Sequence, residues 1–152
     1  MTVTQERRSD LLAAVVGPYS DEPGDIADLV ERYYRHVLTE DLVQRQPDDL
    51  LGATLSHRAV AGVRRPGRAV VHGFTPTVDA HGWMTGHTVI QIVADDTPFV
   101  VDSVTAELSR AGHEIRFLVH PQLPAVRDAD GVLVRVADEP GATLESWVHV
   151  EI

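Results

Sequence analysis

The chain has 152 residues, 43% of them hydrophobic, enough to bury one sizeable core and hardly two. Its 23 acidic residues outnumber 13 basic ones, all of them arginine, and the formal charge of −10 argues against a nucleic-acid backbone or an anionic membrane surface as partner. The lack of cysteine excludes a disulfide framework and a thiolate metal site.

No apolar run approaches the roughly 20 residues of a membrane span, and MTVTQERRSD lacks the basic start and apolar core of a secretion signal. A soluble cytoplasmic protein is expected. From Thr4 to about Arg65 the apolar residues recur at helical spacing: Leu11, Leu12 and Val15, then Ile26, Leu29, Val30, Tyr33 and Val37, then Leu50, Leu51, Leu55 and Ala59. This predicts three helices. The breaks fall at GPYSDEPGD (17–25) and RQPD (45–48), where a Pro or Gly stops one helix and an Asp can cap the next. RRPGR (64–68) ends the third helix, and its arginines are expected to be solvated in a linker.

After that boundary the period becomes strand-like. Ala69 to Phe74 is a short strand, and TPTVDAHGWMTG (75–86) is a turn-rich link carrying Trp83. In His87 to Ala94, Ile90, Ile92 and Ala94 share one face while Val89, Gln91 and Val93 share the other, the pattern of a central strand. DDTPFVVDSVTAELSRAG (95–112) then reads as a helix with Thr97 as N-cap, Pro98 at its first position and Gly112 at its end. Val101, Val104, Leu108 and Ala111 make its apolar stripe, and Asp95, Asp96 and Asp102 sit near the positive end of its dipole. Three strands follow: His113 to Pro121, Val132 to Ala137 after the DADG turn, and Glu145 to Ile152 with Val148, Val150 and Ile152 inward. The predicted class is α+β, N-terminal helices followed by a partial ferredoxin-like antiparallel sheet with one packed helix.

Motifs for chemistry are sparse. No G-x-G-x-x-G occurs, and the strand-to-helix turn is filled by Asp95, Asp96 and Pro98, which would repel a pyrophosphate. None of the eight histidines forms a His-x-x-x-His or His-Glu pair on one helix, and His87, His113 and His120 are expected at strand edges as solvated or hydrogen-bonded groups, so no metal site is predicted. Ser103 and Ser146 have no neighbouring base or oxyanion loop.

HTVIQIVADDTPFVVDSVTAELSRAGHEIRFLVHP, with HGW (81–83) before it and ESWVHVEI at the end, resembles the N-terminal region of the large bacterial NAD-specific glutamate dehydrogenases. The resemblance runs from about Tyr33-Tyr34 to Ile152, and D-D-x-P-F-x-V-D-S-V is its most distinctive part. With the RRPGR boundary closing a helical segment over 1–66, it implies an ACT-like domain over 67–152, which the strand-helix-strand-strand order leads one to expect cut before its second helix and fourth strand. It also implies a parent enzyme that oxidatively deaminates L-glutamate to 2-oxoglutarate and ammonia with NAD, on domains further along. No catalytic residue and no cofactor is expected in this chain, which has no lysine.

Two functional classes stay open. One is a regulatory and assembly domain, in which the ACT resemblance implies an amino-acid effector at the loop after the first strand, with Asp95, Asp96, Thr97, Phe99 and Asp102 as its residues. There an ammonium would meet Asp95 or Asp96, and a carboxylate would meet backbone N–H groups after Thr97. The other is a structural module packed against downstream domains and other subunits of the parent. A homo-oligomer is expected, because a cut sheet leaves one side of His87 to Ala94 unpaired. Either Ala69 to Phe74 or, preferably, the same strand of a second copy would cover that edge.

Overall fold

The computed structural model describes residues 2–19, 21 and 25–152, so the Pro23-Gly24 part of the first predicted helix break lies outside it. Helix α1, Val3–Val16, begins with a capping box: the Thr2 hydroxyl accepts from the Gln5 backbone N–H at 3.1 Å, and the Gln5 side chain accepts from the Thr2 N–H at 2.8 Å. Helix α2 is Asp25–Tyr34, α3 is the single turn Thr39–Leu42, and α4 is Pro47–Val60 with Pro47 at its start. Asp48 lies inside the first turn of α4 rather than capping it; Gln46 is the N-cap and makes no side-chain cap bond. Asp48 therefore favours the helix through its dipole alone. Arg8 on α1 donates to the backbone oxygens of Tyr34 and Val37, which places one cation at the carbonyl end of α2.

The strands are β1 Val70–Phe74, β2 Val89–Asp95, β3 Phe117–Val119, β4 Gln122–Arg127, β5 Leu133–Val136 and β6 Thr143–Glu151. Helix α5, Val78–His81, joins β1 to β2, and α6, Val100–Arg110, joins β2 to β3. The sheet order is β1-β2-β6-β4-β5, with β3 beside β6 in line with β4, and each of these pairings is antiparallel. β6 thus lies between β2 and β3–β4, the split β-α-β arrangement of an α+β, ACT-like fold.

The edge expected to stand open is closed from within the chain. β1 pairs with β2 from Val70↔Val93 to Phe74↔Val89, while β6 pairs with the other side of β2 from Val89↔Glu151 to Asp95↔Glu145. Both sides of β2 are satisfied, so a dimer formed by pairing this strand with its copy is excluded. β1 takes the place that a fourth ferredoxin strand would fill.

Helices α1, α2 and α4 share one core with the sheet: Val15, Leu29, Tyr33 and Leu50 pack in one cluster with Val93, Leu123 and Trp147. The predicted helical and sheet segments are therefore covers of the same interior. The other face carries Val148 and Val150, also fully buried, opposite Ile92 and Ile90. Helix α6, on the β2-to-β3 crossover, keeps Val101, Val104 and Leu108 of its predicted stripe half-buried. Ala111 is exposed and follows the helix end, and Gly112, at φ 85°, terminates it as expected.

Two strand predictions change. The segment 113–121 pairs only over Phe117–Val119, because Pro121 interrupts it, and an unexpected strand, β4, follows. Pro124 fits there because its own carbonyl accepts from Ala137 at 3.0 Å, so its missing N–H faces the side where β5 has ended.

Candidate functional site

The β2–α6 turn is built differently from the sequence expectation. Thr97 does not cap and Pro98 is not helical. Pro98 and Phe99 form a turn, Phe99 is the N-cap at φ 69° and ψ 13°, and α6 starts at Val100. Proline followed by a left-handed residue is the geometry of a type II turn, which normally places glycine where Phe99 stands. Phe99 is 73% exposed, and Thr97 and Asp102 are exposed as well.

The two acids before the turn are committed to the protein itself. Asp95 accepts from Arg64 Nη1 at 2.8 Å and from the Gly67 N–H at 2.8 Å. Asp96 Oδ1 accepts from the buried Ser146 hydroxyl at 2.8 Å and from Gln122 Nε2 at 2.9 Å. The first contact ties the segment after α4 to the end of β2, and the second ties the turn to β6 and β4. Arg64 donates first among the influences that hold the Asp95 carboxyl below its usual range, followed by the Gly67 N–H.

Arg64 is the largest departure from expectation. It is 4% exposed, not a solvated linker residue. Its Nη2 and Nε reach Glu145 Oε2 at 2.7 and 3.1 Å, while Arg127 Nε and Nη2 hold Oε2 and Oε1 of the same carboxylate at 2.7 and 3.0 Å. Trp147 Nε1 adds a bond to Oε1 at 3.2 Å. Burial by itself would push the Glu145 carboxyl up; hydrogen bonds from Arg127 and Arg64 outweigh it and hold the group below its usual range. Gly131 makes the site possible. At φ +84° it lets the 128–131 turn approach so closely that a Cβ there would lie 2.6 Å from the Arg64 carbonyl oxygen. Beside this network lies a cavity of about 260 Å³ lined by Arg64, Asp95, Arg127, Asp128 and Glu145 among others.

A second polar group sits between the helices and the sheet. His57 of α4 has Nε2 2.9 Å from the Ile92 carbonyl oxygen and Nδ1 2.6 Å from the Tyr33 hydroxyl. A carbonyl can only accept, so Nε2 carries the hydrogen and Nδ1 accepts from Tyr33. Burial drives the His57 pKa down to about 3. Gln91 Nε2 donates to the Ala53 oxygen at 3.0 Å and to His149 Nδ1 at 3.1 Å, and His149 Nε2 donates to Glu151 at 2.9 Å. Arg45 closes the chain on Glu151 at 2.9 Å and lies over the Phe117 ring, 3.6 Å from its centroid.

Of the predicted site residues, Asp95 and Asp96 are drawn into the fold, while Thr97, Phe99 and Asp102 lie on its surface. His87 is half-buried and His113 exposed, but His120 differs from a hydrogen-bonded edge group: its Nε2 is buried without a partner among the described residues. Burial lowers the His120 pKa. Sequence reasoning missed Arg64, Arg127, Glu145, His57 and His149. The available signal was ESWVHVEI, which puts Glu145, Trp147, His149 and Glu151 on one face of a strand whose other face carries Ser146, Val148, Val150 and Ile152. Among the described residues no group of three His, Asp or Glu gathers as a metal site would need, and no helix is long and apolar enough to cross a membrane.

The family described as glutamate dehydrogenase, ACT1 domain, matches residues 29–152. An NAD-specific glutamate dehydrogenase of Halomonas elongata is 35% identical over 137 residues, 87% of this chain and 8% of that protein. Its counterpart in Pseudomonas aeruginosa is 31% identical over 126 residues, 80% of this chain and again 8% of that protein. The chain thus spans 8% of the length of the curated relatives it matches. No solved structure matches it.

Proposed function

Because the chain belongs to the glutamate dehydrogenase ACT1 domain family, we propose that it is a non-catalytic regulatory and assembly domain of a larger NAD-specific glutamate dehydrogenase, holding neighbouring domains and subunits in the cytoplasm. Oxidation of L-glutamate to 2-oxoglutarate and ammonia, and the NAD site, belong to other domains of that enzyme. The supporting observation is the commitment of the β2–α6 turn: Asp95 and Asp96 fasten β2, β4, β6 and the segment after α4 into one unit. A turn spent in this way makes a rigid support and presents negative charge where a pyrophosphate would need N–H donors.

The exposure of Thr97, Phe99 and Asp102 favours a second reading, an amino-acid effector at this turn acting with Asp95 and Asp96. The two readings separate in the complete enzyme. Glu145→Gln, which weakens the domain from within, should dissociate the assembly in sedimentation velocity while the KM values for glutamate and NAD stay unchanged. Unchanged sedimentation with altered KM would overturn assembly in favour of the effector reading.

A further inference from the structure

We propose that the cavity between Arg64 and the 128–131 turn binds a short-chain monocarboxylate, with Arg127 as its anchor. The inference is independent of the assembly role. A guanidinium has five N–H bonds. Three of those on Arg127 are donated, to Glu145 Oε2, Glu145 Oε1 and the Gly131 oxygen, at 2.7, 3.0 and 2.8 Å. Two N–H bonds therefore have no acceptor among the described residues, on a side chain only 11% exposed that lines the cavity. Glu145 pins this guanidinium at two points, so its remaining donors are pre-oriented, and a planar carboxylate matches them in shape.

The other walls narrow the ligand class. Three carboxylates, Asp95, Asp128 and Glu145, already balance the three guanidiniums of Arg64, Arg65 and Arg127 along the walls, which disfavours a dianion such as sulfate or a phosphate ester. Asp128 Oδ1 is occupied by the Asp130 and Val132 N–H groups at 2.9 and 3.0 Å, which fixes its position. Pro66, Ala125 and Ala129 supply apolar wall on which a short alkyl tail can lie, and about 260 Å³ accommodates a few carbon atoms. One negative charge, planar, with a short apolar tail, satisfies all of these conditions together.

The test is an NMR titration of the 152-residue chain with acetate, butyrate and sulfate at constant ionic strength, following the Arg127 side-chain N–H and the backbone amides of 128–131. Saturable shifts are expected with acetate, several-fold tighter binding with butyrate, and weaker binding with sulfate. Arg127→Lys should weaken butyrate at least several-fold. Because that change touches the ion-pair network, a second variant is Ala129→Asp, an exposed turn position where an added charge repels the ligand and leaves the fold, read from the rest of the spectrum, unchanged. Linear, non-saturating shifts, shifts equal to those from chloride, or undiminished butyrate binding by Ala129→Asp would each overturn the proposal.

Discussion

The Arg64 guanidinium and the Glu145 carboxylate meet at 2.7 Å, joining the end of the helical segment to the central strand across 81 positions of sequence. Both side chains are almost fully buried, and Arg127 completes the group from β4. Removing one partner of such a set leaves uncompensated buried charge, which costs roughly 3–5 kcal/mol. Glu145→Gln is expected to destabilise the chain on that scale in urea denaturation, and Asp95→Asn far less, because the Asp95 side chain is 40% exposed. Equal losses from the two variants would show that Glu145 does not centre the network.

Acid should weaken the fold in two stages. His57 takes up its proton near 6.5 when unfolded but only near 3 when folded, so the unfolded chain binds more protons between these values. The stability this neutral histidine contributes is complete above pH 6.5 and falls by about 1.4 kcal/mol for each pH unit below it. Glu145 and Glu151 act lower down. Their folded pKa values lie below the usual 4.5, so their contribution is present above 4.5 and is lost as pH falls through the folded values. Urea midpoints measured from pH 7 to pH 5 should decline in the native chain and decline less steeply in His57→Gln, whose amide can still donate to the Ile92 oxygen and accept from Tyr33, the remaining slope coming from His120, whose pKa burial also lowers. A parallel decline in both would remove His57 as the cause.

Gly52 lies inside α4, where alanine would ordinarily gain up to about 1 kcal/mol. Here a Cβ would stand 2.2 Å from Trp83 Cγ, and Trp83 is buried against the Ala53–Val89 cluster. Overpacking of that kind costs about 1–3 kcal/mol. Gly52→Ala is therefore expected to lower the Tm, and an unchanged or raised Tm would show that Trp83 moves away at no cost.

Phe99 combines a left-handed backbone with an exposed ring. The conformation costs roughly 1–2 kcal/mol for a residue with a Cβ, and glycine relieves it while adding about 0.4–1 kcal/mol of unfolded-chain entropy. Phe99→Gly should leave stability unchanged or raise it by up to about 1 kcal/mol. A loss beyond about 2 kcal/mol would mean the ring is packed as a core residue would be.

The elements carried by local pattern were legible in the sequence: β2 by apolar residues on both faces, α6 by its stripe, and its end by Gly112. What was missed depends on distant partners. Arg64 reads as a linker charge until β6 brings Glu145 to it, and His57 reads as one more helical polar residue until β2 supplies the Ile92 oxygen. Gln91 and His149 are buried for the same reason, because the N-terminal helices cover the strand faces that carry them. Phe99 disguised the turn, since Thr97-Pro98 also matches a helix start. Pro121 and Pro124 hid β4, which survives because the missing N–H of Pro124 falls beyond the end of β5.

The proposed non-catalytic role of this domain is tested most directly by incubating the purified chain with L-glutamate and NAD and following NADH. The sequence offers no lysine and no glycine-rich phosphate turn, and the strand-to-helix turn that could have held a dinucleotide presents carboxylates already bound to Arg64, Ser146 and Gln122. No NADH above the protein-free blank is predicted; NADH formation that persists through repurification would contradict a non-catalytic role.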